Sequence, residues 1–138
     1  HRVLKPGGKA IISTPNKKMT LTRNPWHVRE YFAHELTDLC KSIFSEVESN
    51  GIAGNDKIMN YHDQNRESVR KITRFDIFNL QYRLPAALLR MPYEFLNRRN
   101  RNTLDKQDNS LVKSITVADF YLSDKPAESL DLFYTLTK

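Results

Sequence analysis

The chain has 138 residues, 39% hydrophobic and 28% charged, with a formal net charge of +6, which fits one domain or part of one. Its single cysteine excludes an internal disulfide and any multi-cysteine metal site, and suits a reducing compartment, here expected to be the cytoplasm. No apolar run approaches the ~18 residues that span a bilayer, and His1–Lys5 lacks the apolar core of a signal peptide.

Residues 2–16 read as the end of a helix or a single turn, then a Pro6-Gly7-Gly8 reversal, then a short strand over 9–14. Pro6 pre-sets φ, and Gly7 and Gly8 supply positive-φ freedom. Two adjacent isoleucines, Ile11 and Ile12, give the pattern of a strand covered on both faces. Pro15 has no N–H for a ladder, so pairing is expected to end there. Residues 17–32 form a connection that is first basic (Lys17, Lys18, Arg23) and then aromatic (Trp26, Tyr31, Phe32), with a turn at Asn24-Pro25.

A helix is expected over 33–44. Leu36, Leu39, Cys40, Ile43 and Phe44 fall on one face of a 3.6-residue period. Ala33 stands where a capping Ser or Thr would serve better, and Cys40 reads as a packed core thiol. Residues 46–52 suit an edge strand protected by Glu46 and Glu48, with Gly51 marking a bulge or bend.

Residues 55–114 read as a helical insertion. Val69, Ile72, Phe75 and Leu80 give a partial helical period over 63–82. Pro85 can start a second helix, Pro92 is expected to kink or stop it, and a third stretch follows from Tyr93 to Asn100. Residues 100–114 are polar and expected to be a mobile loop. Over 56–106 there are eleven cations and six anions. A basic balance suits nucleic acid, anionic lipid or an anionic substrate, and equally a solvated face. The chain ends in a strand over 130–137, apolar on both sides.

Arg2-Val3-Leu4-Lys5-Pro6-Gly7-Gly8 and the strand after it resemble the segment leading into the fifth strand of class I S-adenosylmethionine-dependent methyltransferases. The block Asn24-Pro25-Trp26-His27-Val28-Arg29-Glu30-Tyr31 is similar to the post-strand motif of their small-molecule branch, which includes quinone-biosynthesis enzymes. The resemblance covers 1–54 well, 118–138 loosely, and 55–117 not at all. It implies an α/β fold: the C-terminal half of a Rossmann-like sheet with the last strand antiparallel between the other two, so that 130–137 lies between 9–14 and 46–52. The helical insertion would sit as a lid within a single partial domain, 1–138.

The resemblance implies S-adenosylmethionine as cofactor, with Thr14 and Pro15 at the strand end touching it. Asn16, Arg29, Glu30 and Tyr31 would face a small-molecule or lipid-like acceptor. His27 would be the catalytic group, a neutral imidazole taking a proton from an attacking hydroxyl. Structural readings stand beside these: Arg29-Glu30 as an ion pair, His27 as a loop hydrogen bonder, Trp26 as core. No G-x-G-x-x-G or G-x-G-x-G occurs, and the four glycines stand at 7, 8, 51 and 54. The chain is therefore expected to be a fragment without its main cofactor loop, inactive alone, with an open sheet edge at 9–14 prone to self-association. No metal-ligand spacing exists: His27 and His34 are seven apart and His62-Asp63 is isolated. No Gly-x-Ser-x-Gly elbow supports a hydrolase. Nucleic acid is not an expected partner of such an enzyme, whereas peripheral contact with anionic lipid through 55–106 is. The competing class is a non-catalytic basic module binding nucleic acid or an acidic partner, which the charge supports but no motif does.

Overall fold

The structure, a computed structural model, describes residues 1–74, 80–107 and 109–138. Phe75 and Asp76, counted in the helical period and the charge balance, lie outside the described residues. The chain divides into two units: residues 1–20, 29–54 and 120–138, and residues 21–28 and 55–119.

The first unit is a mixed α/β sheet unit. Four strands, β1 (Lys9–Pro15), β2 (Glu46–Gly54), β3 (Phe120–Ser123) and β4 (Asp131–Thr137), lie in the order β1-β4-β2-β3. Every pairing is antiparallel, and the last strand lies between β1 and β2. The turn before β1 closes with the Gly8 N–H donating to Lys5 O at 2.9 Å. Gly7 takes φ +71° at the third turn position, where a type II turn requires it. Gly8 does not share the positive φ expected of it.

Helix α1 (Ala33–Lys41) covers one face of this sheet. Leu36 and Cys40 pack with Leu132, Tyr134 and Leu136 into the core, flanked by Ala10, Ile12, Tyr31, Phe44 and Val47. The Tyr134 hydroxyl donates to Ala33 O at 2.8 Å and lies 2.8 Å from Thr37 Oγ1, tying the middle of the sheet to the first turn of α1.

Several expectations change here. The helix ends at Lys41 rather than Phe44, and Leu39 and Ile43 are exposed, so the apolar stripe in contact is narrower than the periodicity suggests. Its N-cap is Phe32, not Ala33. Phe32 has no acceptor to offer, and only the return half of a capping box forms, with the Phe32 N–H donating to Glu35 Oε2 at 3.0 Å. That bond, then Lys17 and Arg29 nearby, holds the Glu35 carboxyl below its usual range. Strand β1 is covered on one face only, because Ile11 points away from α1 and is 66% exposed. Pairing also runs past Pro15: the Asn16 N–H donates to Leu130 O at 3.0 Å. Alternation along the strand turns the Pro15 nitrogen to the outer edge of β1, where a missing donor costs nothing. β2 is interior over Gly51–Gly54, where β3 pairs along its far side, whereas Glu46–Asn50 pair with β4 alone and keep the expected edge character. Its register is continuous through Gly51, with no bulge. Glycine stands there because a Cβ would overlap Ser129 Cβ and Oγ and meet Pro126 Cα at 3.0 Å.

The second unit is helical, with α2 (Asp56–Thr73), α3 (Leu80–Arg83), α4 (Ala86–Gln107) and α5 (Asn109–Ser114). Asn55 Oδ1 accepts from the Lys57 and Ile58 N–H groups at 3.1 and 3.3 Å and caps α2. α4 starts just after Pro85, as expected, but runs through Pro92. One lost hydrogen bond is outweighed by a run of Ala, Leu, Arg, Met and Glu with high helix propensity. The expected loop over 100–114 is helical on either side of residue 108, in α4 and α5. Asp119 is buried and receives the Lys57 ammonium at 2.9 Å, the Asn55 amide at 2.8 Å and the Thr116 N–H at 2.7 Å. Those donors, Lys57 first, hold its carboxyl far below the usual carboxylate range. Among the described residues no helix is long and apolar enough to cross a membrane.

Candidate functional site

The end of β1 is where the sequence concentrates its candidate residues. A strand that stops leaves backbone groups in need of partners, and Asn16 supplies most of them. It is 1% exposed. Its Nδ2 donates to Ser129 O at 2.8 Å, Pro126 O at 3.1 Å and Ala127 O at 3.4 Å. Its Oδ1 accepts from the Lys18 N–H at 3.1 Å, and its carbonyl accepts from the Met19 and Thr20 N–H groups at 2.8 and 3.2 Å. The side chain expected to face an acceptor molecule is thus turned inward and committed to the segment that leads into β4. Thr14 and Pro15 precede it, half-buried.

Tyr31 joins this place through a parallel bridge to Asn16, and the Lys17 N–H donates to Tyr31 O at 3.0 Å. The Tyr31 ring packs against the core. The exposed Arg29 guanidinium lies over that ring, 4.5 Å from its centroid, and the Lys17 ammonium lies 4.6 Å over Phe32. Asn16, Tyr31 and Arg29 are therefore brought together, with Glu30, half-buried, between the last two. Here Lys17 and Arg29 lie over aromatic rings, with the Glu30 and Glu35 carboxylates nearby.

His27 belongs to the second unit. It closes a turn in which its N–H donates to Asn24 O at 3.1 Å, and its Nε2 lies 3.1 Å from Asn24 Nδ2. The Trp26 N–H donates to Asn24 Oδ1 at 3.0 Å. Trp26 is not core: it is half exposed, and the Arg90 guanidinium of α4 stacks 4.2 Å from its ring. Arg23 donates to Leu84 O at 3.1 Å. The 21–28 segment is thus fastened to α4 and the turn before it.

One residue escaped sequence reading. Asp131 opens β4 and pairs with Pro15 on one side and Ile52 on the other. Burial pushes its carboxyl up from the usual aspartate value. The available signal was an acid at the head of an apolar strand. Among the described residues no three His, Cys, Asp or Glu side chains gather to hold a metal ion.

No protein-family model matches the chain, and no solved structure matches it. Part of the chain is similar to a protein of Mycolicibacterium smegmatis named "Probable S-adenosylmethionine-dependent methyltransferase". The two are 45% identical over 53 residues, 34% of this chain and 20% of that protein. The matched stretch thus spans a fifth of the relative's length, a likeness to the methyltransferase family in part.

Proposed function

We propose that this chain is the acceptor-side part of an S-adenosylmethionine-dependent methyltransferase acting on a small-molecule or lipid-like acceptor. The observation that carries the reading is the 45% identical segment shared with the mycobacterial protein. The antiparallel final strand between β1 and β2 supports it, being the arrangement that the resemblance implies for the C-terminal half of such a sheet.

The residues of this chain do not by themselves fit the cofactor. The sequence has no glycine-rich loop, and the amide of Asn16 is spent on Pro126, Ala127 and Ser129. Thr14 and Pro15 would form one wall beside the methyl donor. On the acceptor side, Arg29, Glu30 and Tyr31 would orient the molecule, the guanidinium drawing an anionic group on it to the Tyr31 ring. Asn16 acts as a positioning residue, because it fixes the chain on which Tyr31 is bridged. His27 is the proposed proton acceptor for an attacking hydroxyl. Methyl transfer from a sulfonium needs little further acid–base help, so orientation supplies much of the rate.

The test begins with the DNA upstream of the His1 codon. An open frame encoding a strand followed by G-x-G-x-G supports the proposal, and a frame without one sinks it. The product of that frame is then assayed with radiolabelled S-adenosylmethionine, where Arg29→Ala should raise KM for an anionic acceptor and His27→Gln should lower kcat. The 138-residue chain alone should neither bind S-adenosylmethionine tightly by calorimetry nor transfer methyl groups.

A further inference from the structure

A helix in a globular protein needs one apolar face, the one turned to its own core. Helix α4 has two. Ala86, Leu89 and Tyr93 are half-buried. Leu88, Met91 and Phe95 stand at i, i+3 and i+7 on a different stripe, and they are 63%, 83% and 66% exposed. Large apolar side chains in the open are ordinary when scattered. Three in a row along one helix are a patch that calls for a partner.

The charges around the stripe say what kind of partner. Continued by helical spacing, it runs into Arg98 and Arg99, three and four residues beyond Phe95. Residues 80–100 carry four arginines and one acid, Glu94. Arg90 is turned to Trp26 and Arg99 has an interaction of its own, which leaves exposed Arg83 before the helix and Arg98 at the end of the stripe to face outward. Nucleic acid would satisfy the arginines but offers no apolar phase for Leu88, Met91 and Phe95. A second copy would bring together two chains of net charge +6, which repel. The surface of an anionic bilayer satisfies both features at once. Its acyl boundary takes the apolar stripe, and its headgroups take the guanidinium groups, the arrangement of an interfacial amphipathic helix.

We propose that the Leu88–Met91–Phe95 stripe of α4, with Arg83 and Arg98, docks the protein onto an anionic lipid surface. This inference does not depend on the methyltransferase reading, since it concerns binding and not transfer. The test is cosedimentation of the 138-residue chain with phosphatidylglycerol/phosphatidylcholine vesicles and with phosphatidylcholine vesicles alone. Binding should be at least about tenfold tighter to the anionic vesicles and should weaken as salt rises. Met91→Glu combined with Phe95→Glu should cut binding by about tenfold or more. Arg83→Gln and Arg98→Gln should each cut it by roughly fivefold. These side chains are exposed, so circular dichroism should be unchanged, and the lipid effect separates from folding. Equal binding to both vesicle types, or full binding by the Met91/Phe95 variant, overturns the proposal. So does retention on duplex DNA without retention on vesicles. A dimer in sedimentation equilibrium that the Met91/Phe95 variant converts to monomer would assign the stripe to a second copy and equally overturn it.

Discussion

Asn16 offers the sharpest test of how the strand end is built. Its amide holds three carbonyls, those of Ser129 at 2.8 Å, Pro126 at 3.1 Å and Ala127 at 3.4 Å, and only the Ser129 bond is fully buried. In Asn16→Ala the two outer carbonyls can turn to water, whereas Ser129 O is left buried without its donor. One such stranded group, with the lost Lys18 contact, costs about 2–3 kcal/mol. For a chain of this length that lowers Tm by roughly 7–10 °C.

Asn16→Asp separates hydrogen bonding from size. The variant is isosteric, but an ionised carboxylate presents only acceptors to three carbonyl oxygens. Its folded-state pKa must therefore rise above the unfolded value. A group raised in this way leaves stability intact below its unfolded pKa and removes it as pH climbs through the folded pKa. Asn16→Asp should thus be worse than Asn16→Ala at pH ~7 and recover toward it, or past it, near pH ~4. Thermal and urea denaturation followed by circular dichroism would measure both variants. An Asn16→Ala variant within about 0.5 kcal/mol of the parent refutes the reasoning. So does an Asn16→Asp deficit that does not change with pH.

Gly51→Ala should destabilise the sheet unit by about 1–3 kcal/mol, because Ser129 and Pro126 leave no room for a methyl group; a denaturation midpoint equal to the parent's would show the segment can shift freely. Asp131→Asn should raise Tm at neutral pH and lose that advantage in acid, since burial raises the Asp131 carboxyl, so its ionisation costs stability only as pH climbs through the folded value. Asp119 works in the opposite sense: its carboxyl is lowered by Lys57, Thr116 and Asn55, so its contribution is present above the unfolded value and is lost as pH falls through the folded one. Asp119→Asn should therefore flatten the acid limb of a stability–pH curve followed by far-ultraviolet circular dichroism.

Three strands were legible from apolar runs bounded by turn residues, at 9–14, 46–52 and 130–137 against the observed 9–15, 46–54 and 131–137. Their order was not legible from the residues and came from the family resemblance. β3 escaped because Phe120–Ser123 is four residues long and mostly exposed; only its pairing with Gly51–Gly54, distant in sequence, makes it a strand. That same pairing makes the Gly51–Gly54 end of β2 interior. The 100–114 stretch reads as a loop because Asn and Ser suggest one by composition, while α4 and α5 pack locally with α2. At the candidate site, residue type draws notice to Asn16, but its side-chain direction depends on carbonyls 110 to 113 positions away. No local pattern carries that information.

Asn16, Gly51 and Ser129 are better understood together than singly. β4 enters between β1 and β2, so the segment before it must pass over the ends of both strands. A turn over Pro126–Glu128 does this, and its carbonyls have no strand to pair with. The turn itself is not buried, but the Ser129 carbonyl that follows it is, and it must find its donor within the protein. Asn16 supplies the donor from β1, Gly51 supplies the space from β2, and Ser129 Oγ ties the turn to Lys125 O at 2.9 Å. If these act as one clamp, loosening it twice costs less than the two costs added. A double-mutant cycle of Asn16→Ala and Gly51→Ala should therefore fall short of additivity by more than about 0.5 kcal/mol. Strict additivity would mean that the two residues restrain the 125–130 segment independently, and that β4 is held in place by its ladders alone.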